Sequence, residues 1–509
     1  MAKIDSAGLQ GLIVKASEEN ARLTIFASRS GEWEEARSHF IKECFGSEPK
    51  IVRICPLEAV EQQQIFEGKF PNVDFGDFCQ EIERFELSPL LGNPQFLLIF
   101  AEAYVQAGGH FSTKRQIFAD AVRGLTVETN RAVAKGDRLS DQKIIEISEE
   151  IFAKLLLSGS VGVSLSDGSE EVGFPSLQSL MPTEFAEVSQ VLDTRLFKPS
   201  DHPDLHEPVH RIIAEYCAAS YLARRMGDVS DALSVSRCSS IIAPNSVLRD
   251  ELRGLAGWIA ALGSRTVQET MVKLDPYAVL SNGDPSLLDP STKVLLLDRL
   301  FAAAEVDPYF RRSDQWRSFS VAGFFADDIV AAIREKLASS GDDTHLRGLL
   351  LELLVGSDVV AEITEELRET MLDGGNSDNT RTLAFKCLAA ENSYDFGPDF
   401  DSLVVEGGES SLALASRIAI QIGVEGLGRT RVLGFLRSCE TLFAPRGDRF
   451  EIVSGKYRVK DFIFSLELPL VEWLLDQIAL PLVCTCGKKK FQCDCRIAPG
   501  GFRREVQHR

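Results

Sequence analysis

Near the C-terminus, the stretch CTCGKKKFQCDC sets Cys484, Cys486, Cys493 and Cys495 as two C-x-C pairs. Four thiolates could close a tetrahedral zinc site, with Lys488 to Lys490 offsetting their negative charge. The spacing is tighter than the C-x-x-C knuckle, whose extra residue admits a turn more readily, so a redox-labile or disordered tail is the competing reading. A second cluster is His202, His206 and His210, spaced by four, which on one continuous helix would align three imidazoles as metal ligands. Pro203 and Pro208 break that helix, and with it the geometry on which the spacing depends. The third feature is an arginine. In ARLTIFASRSGEW, Leu23 to Ala27 read as a short buried strand that ends on Ser28 and Arg29, polar groups where an open α/β sheet holds its ligand. Such an arginine can face a nucleotide phosphate; the alternative is a surface residue at a strand end.

Familiar catalytic signatures are missing from the 509 residues. A P-loop requires G-x-x-x-x-G-K-[ST], whose backbone amides cradle phosphates while the lysine and hydroxyl neutralise charge and hold magnesium. EGKF, SGKY and CGKK lack both the earlier glycine and the hydroxyl. No G-x-G-x-x-G follows a strand and no G-x-S-x-G occurs, while His206-Glu207-Pro208-Val209-His210 spells H-E-x-x-H but with Pro208 breaking the helix which that motif requires. The formal net charge of -20 repels nucleic acid and anionic membranes on average, so contact with phosphate requires a local site. A DNA-binding winged helix is correspondingly disfavoured, because LARRMGDVSDALSVSR offers only a thin basic cluster. No apolar run approaches the ~18 residues of a membrane span, and Lys3, Asp5, Lys15, Glu18 and Glu19 interrupt any signal-peptide pattern, which leads to the expectation of a cytoplasmic protein. The other seven cysteines, Cys44, Cys55, Cys79, Cys217, Cys238, Cys387 and Cys439, stand singly in apolar surroundings, where a thiol packs as a small hydrophobe.

The elements that would position these groups are mostly helices. A βαβ unit is expected first, with strands at Leu23 to Ala27 and Ile51 to Cys55 and a helix from Glu32 to Cys44 between them. Two strands cannot form a stable covered parallel sheet, so this unit lacks neighbours. Four helices follow: PLEAVEQQQIFEGKF, FGDFCQEIERFEL, NPQFLLIFAEAYVQAGG opened by Asn93 and Pro94, and TKRQIFADAVRGLTVETNRAV capped by Ser112 or Thr113. Over 136 to 235 the pattern is a helix from Asp141 to Leu157, a Gly and Ser-rich loop, a helix near Pro175 to Met181, a strand at DTRLF and the helix RIIAEYCAASYLARRM. This mixture suggests a winged helix. From 236 to about 480, amphipathic helices such as RDELRGLAGWIAALGS, STKVLLLDRLFAAAEV, HLRGLLLELLVG and TRTLAFKCLAAE alternate with Gly, Asp, Asn and Pro turns, as in a HEAT-like solenoid.

The segments LTIFASRSGEW, ICPLEAVEQQQIFE, LLGNPQFLLIFAEAY and EPVHRIIAEYCAASYLA stand in the order found in prokaryotic NACHT-type members of the STAND class of P-loop NTPases, which the chain resembles from residue 1 to about 300. The resemblance implies a mainly α chain. Its parts would be a C-terminal remnant of the α/β nucleotide-binding core (1–57), a helical domain (58–135), a winged helix (136–235), HEAT-like repeats (236–480) and a Cys-rich tail (481–509). It implies that Arg29 is the sensor of the terminal phosphate, that Pro94 packs on the adenine, and that His210 contacts an inner phosphate in the ADP-bound state. Pro94 is also an ordinary helix-starting residue, and His210 could be a packed histidine. In complete relatives ATP or ADP with magnesium sets a closed or oligomerising state, and prokaryotic members are linked to antiviral defence. AKIDSAGLQGLIVKA resembles the junction before the sensor strand, so a truncated product, a misassigned start or one half of a split switch is expected, with the lysine loop in an upstream NTPase half. Such a chain should sense a protein ligand and signal without hydrolysing ATP. The rival reading is a nucleotide-independent helical scaffold that binds a protein partner.

Overall fold

The computed structural model describes residues 6–19, 23–26, 35–50, 55–85, 87–111, 113–126, 139–166, 172–181, 185–200, 204–307, 321, 323–338, 345–391, 393–442 and 460–479. The chain is mainly helical, and its described strands are three short ones between residues 163 and 208. It divides into two compact units, Met1–Ile363 and Thr364–Arg509. Among the described residues, no helix is long and apolar enough to cross a membrane.

The first unit opens with α1 (Ser6–Glu18) and α2 (Glu35–Phe45), which pack together. Between them, Leu23 to Phe26 form neither helix nor ladder, and Leu23 and Ile25 are 76% and 79% exposed. The buried strand expected there is therefore not formed: an extended segment becomes a strand only when a neighbour takes its hydrogen bonds. One face does pack, since Phe26 meets Phe45 of α2 edge-on at 6.1 Å. Of the second expected strand, Ile51 to Ile54 lie outside the described residues, and Cys55 is exposed rather than packed.

The four expected helices follow as α3 (Ala59–Lys69), α4 (Phe75–Arg84), α5 (Pro94–Gln106) and α6 (Lys114–Thr126). α3 begins behind a capping box, with the Glu58 amide donating to Glu61 Oε2 at 2.9 Å, so Pro56 stands before the helix and not in its first turn. Asp74 accepts the Asp77 amide to open α4, and Thr113 Oγ1 accepts the Gln116 amide to open α6. Phe66, Phe78, Phe96, Phe100 and Phe118 are essentially inaccessible to solvent and form the apolar centre of this group.

α7 (Asp141–Ser158) is capped by Ser140 and stopped by Gly159 at φ 72, the left-handed conformation that favours glycine. Then come β1 (Val163–Ser164), α8 (Leu177–Leu180), α9 (Phe185–Leu192), β2 (Phe197–Pro199), β3 (Leu205–Pro208) and α10 (Arg211–Gly227). The strands form one antiparallel sheet in the order β1-β3-β2, with Phe197 opposite Pro208 and Val163 opposite His206. The strand expected at DTRLF starts only at Phe197, because Asp193 and Thr194 close α9 through turn bonds to Gln190 and Val191. α7 and α10 pack together, and Ile147, Ile151 and Phe152 of α7 and the small Ala214 and Ala218 of α10 are all buried.

Beyond α10 the first unit continues with α11 (Val235–Ile242), α12 (Arg253–Leu262), α13 (Arg265–Leu274), α14 (Pro276–Ser281), α15 (Pro290–Val306), α16 (Val330–Ala338) and α17 (His345–Leu354). The second unit holds α18 (Thr364–Leu372), α19 (Asp378–Ala390), α20 (Gly397–Glu406), α21 (Glu409–Leu427), α22 (Arg429–Leu442) and a helix at Leu468–Ala479. Its core includes an arginine. Arg381 is 1% exposed and donates to the Met371 carbonyl at 2.8 Å, to Ser411 Oγ at 3.2 Å and to Glu406 Oε2 at 3.1 Å. Buried charge persists only with such a full set of partners.

Candidate functional site

Of the residues that the sequence singles out, Pro94 and His210 lie within the described structure and belong to elements that meet. Pro94 is the exposed first residue of α5, where its missing N–H costs nothing. The loop before it is tied down: the Leu57 amide donates to the Gly92 carbonyl at 2.8 Å, and the Asn93 carbonyl accepts the Leu97 amide at 3.0 Å. Two residues into the helix, the Phe96 ring is buried and meets the His210 ring edge-on, with centroids 6.2 Å apart and planes at 82°.

His210 is the N-cap of α10, with an extended backbone and its Nδ1 accepting the Ile212 amide at 3.3 Å. A ring whose Nδ1 accepts carries its neutral-state proton on Nε2. Burial, and after it the positive charge of Lys198 on β2, holds the imidazole pKa below the ordinary 6.5, so the ring is neutral at pH 7. Half-buried beside an aromatic face, it is set as a hydrogen-bond donor at the positive end of a 17-residue helix. Lys198 pairs with Glu207 across the hairpin at 3.4 Å, and Ser200 Oγ donates to the same carboxylate at 2.7 Å. Arg211, next in the chain, is engaged by Glu215 at 2.9 Å and by the Glu251 carbonyl. Chemically, the corner combines a neutral N–H donor at a helix N-terminus with a neighbouring ammonium that Glu207 pairs, a set that favours an anionic oxygen.

The other expected residues are not brought into this corner. Arg29 lies outside the described residues, as do Cys484, Cys486, Cys493 and Cys495. His202 does too; His206 sits on β3, 3% exposed, and His210 at the start of α10, so these two do not share a helix face. Among the described residues, no group of three His, Cys, Asp or Glu side chains could hold a metal ion. Phe96 and Lys198 were not anticipated. Phe96 reads as one more core residue of an apolar helix, and Lys198 as an ordinary exposed position of a hairpin.

No protein-family model matches the chain, and no curated protein matches it.

Proposed function

We propose that this chain is part of a STAND-type NACHT switch: a helical domain formed by α3 to α6, a winged helix formed by α7 to α10 with the three strands, and a HEAT-like array beyond. In this reading the corner at Pro94 and His210 receives ADP, with the exposed Pro94 against the base and Nε2–H of His210 on a phosphate oxygen. Arg29 reports on the terminal phosphate, and the array binds a protein ligand. Without a P-loop among its residues, the chain does not hydrolyse ATP, because phosphoryl transfer depends on positioning and charge neutralisation that the lysine loop and magnesium provide.

The observation that supports the reading is that the edge-on ring pair of Phe96 with His210, residues 114 positions apart in sequence, is among the contacts at which the two modules meet. The order helix, strand, helix, helix, hairpin, helix over 141–227 accords with the winged-helix part. Photolabelling with 8-azido-ADP tests it. Label recovered in peptides containing 92–100 and 208–216 is the expected result. Label spread over the surface, or turnover of ATP by the purified chain, refutes it.

A further inference from the structure

Helix α6 is held at both ends by charges from distant parts of the chain. At its N-terminus, Oδ2 of Asp284 accepts the Arg115 amide at 2.9 Å across 169 residues of sequence. Asp284 is 2% exposed, and Ser286 donates its hydroxyl to the other carboxylate oxygen. At the C-terminus, Arg195 donates to the Gly124 carbonyl at 2.6 Å, and its own amide reaches the Leu125 carbonyl at 3.3 Å. A carboxylate at the amide end and a guanidinium at the carbonyl end both match the helix dipole. Halfway along, Phe118 of α6 touches Trp258 of α12 with centroids 4.8 Å apart and Tyr216 of α10 at 5.6 Å.

α6 does not need Asp284 in order to be a helix, because Thr113 already caps its first turn through the Gln116 amide at 3.2 Å. The distant carboxylate is an additional acceptor, aimed by its own loop. Gly283, at φ 69, lies so close to α12 that a Cβ there would sit 2.5 Å from the backbone of Gly257. Gly257 immediately precedes Trp258. One backbone-to-backbone seat thus aims both Asp284 and Trp258 at α6.

We propose that Asp284 is a latch: beside the Phe118–Trp258 contact it fastens the loop seated on α12 to the start of α6, and its release loosens that loop and the first turn of α6 together while the helices stay folded. Arg195 then keeps α6 with the β-bearing module. The latch is independent of nucleotide and of the function proposed above. Hydrogen exchange on the full chain tests it with Asp284→Ala, Asp284→Asn and Thr113→Ala. Loss of a cap changes local opening by roughly tenfold, so Asp284→Ala should raise exchange by about that factor both in the first turn of α6 and in the 282–288 loop, with α7 and α10 unchanged. Asp284→Asn, which keeps an acceptor without the charge, should give a smaller rise at the same two places. Thr113→Ala should affect α6 alone. The latch is overturned by no change in Asp284→Ala, by a change confined to α6, which would make Asp284 a simple cap, or by loss of protection throughout α7, α10 and α12, which would make it part of an indivisible core.

Discussion

Replacing Trp258 with alanine tests how α6, α10 and α12 are joined. The indole is 2% exposed and sits between Phe118, at 4.8 Å and 56°, and Tyr216, at 5.0 Å and 81°, both favourable tilted or edge-on geometries. Removing a buried aromatic costs about 3–5 kcal/mol through lost burial and the cavity left behind. Against a total stability of about 5–15 kcal/mol that is a fifth or more of the whole, and at about 1–2 °C per kcal/mol for a unit the size of Met1–Ile363 it lowers the midpoint of thermal unfolding by roughly 5 °C. Surrounding helices cannot simply collapse into the space, because Gly257 is already in contact with the 282–283 backbone. Trp258→Phe keeps a ring in place and should lose about half as much. Val229→Ala, at a fully exposed position, should stay within about 0.5 kcal/mol of the parent. Thermal melts followed by near-ultraviolet circular dichroism give the midpoint, and hydrogen exchange in α6 and α10 localises the loss. A Trp258→Ala chain that melts with its parent and exchanges alike in α6 would refute the aromatic junction.

The remaining predictions concern single side chains. His210 has a folded-state pKa below its ordinary 6.5, from burial first and Lys198 second, so the unfolded chain binds its proton more readily. Its contribution to stability is complete above pH 6.5 and is lost as pH falls from 6.5 through the lower folded value; the midpoint of His210→Gln should therefore fall less than the parent's over that window, and equal slopes would refute the assignment. Arg381→Met leaves the Met371 carbonyl and the Ser411 hydroxyl without their donor, at about 1–3 kcal/mol for each buried unsatisfied group, and should raise hydrogen exchange in α19 and α21. Unchanged exchange there would show that the buried arginine contributes no net stability.

Helices were legible because their signals are local. Period-3.6 apolar spacing with caps marks α4 to α7 and α10, and the segments around Trp258, Leu297, Leu350 and Phe385 form helices as their patterns imply. The expected first strand shows the limit of this kind of reading. A run such as LTIFA has the composition of a buried strand, but strands depend on partners elsewhere, and Leu23 and Ile25 are exposed. α9 carries no clear signal in the sequence, since a short amphipathic segment lacks enough periods to stand out. Long-range contacts were not legible at all: nothing in the sequence says that Asp284 accepts from Arg115, or that Arg381, in a helix with polar neighbours, is buried. Of the candidate site, Pro94 and His210 could be named from their motifs, whereas Phe96 and Lys198 required the packing that brings α5 and β2 to the start of α10.

The central proposal is that the corner formed by the starts of α5 and α10 receives a nucleoside diphosphate. Hydrogen exchange with and without several millimolar ADP addresses it directly, since affinity in the millimolar range, about 4 kcal/mol, still gives measurable protection at that concentration. ADP should slow exchange of the amides in the first turns of α5 and α10, and His210→Ala should abolish that protection. Identical exchange with and without ADP across 92–100 and 210–216 would contradict the claim.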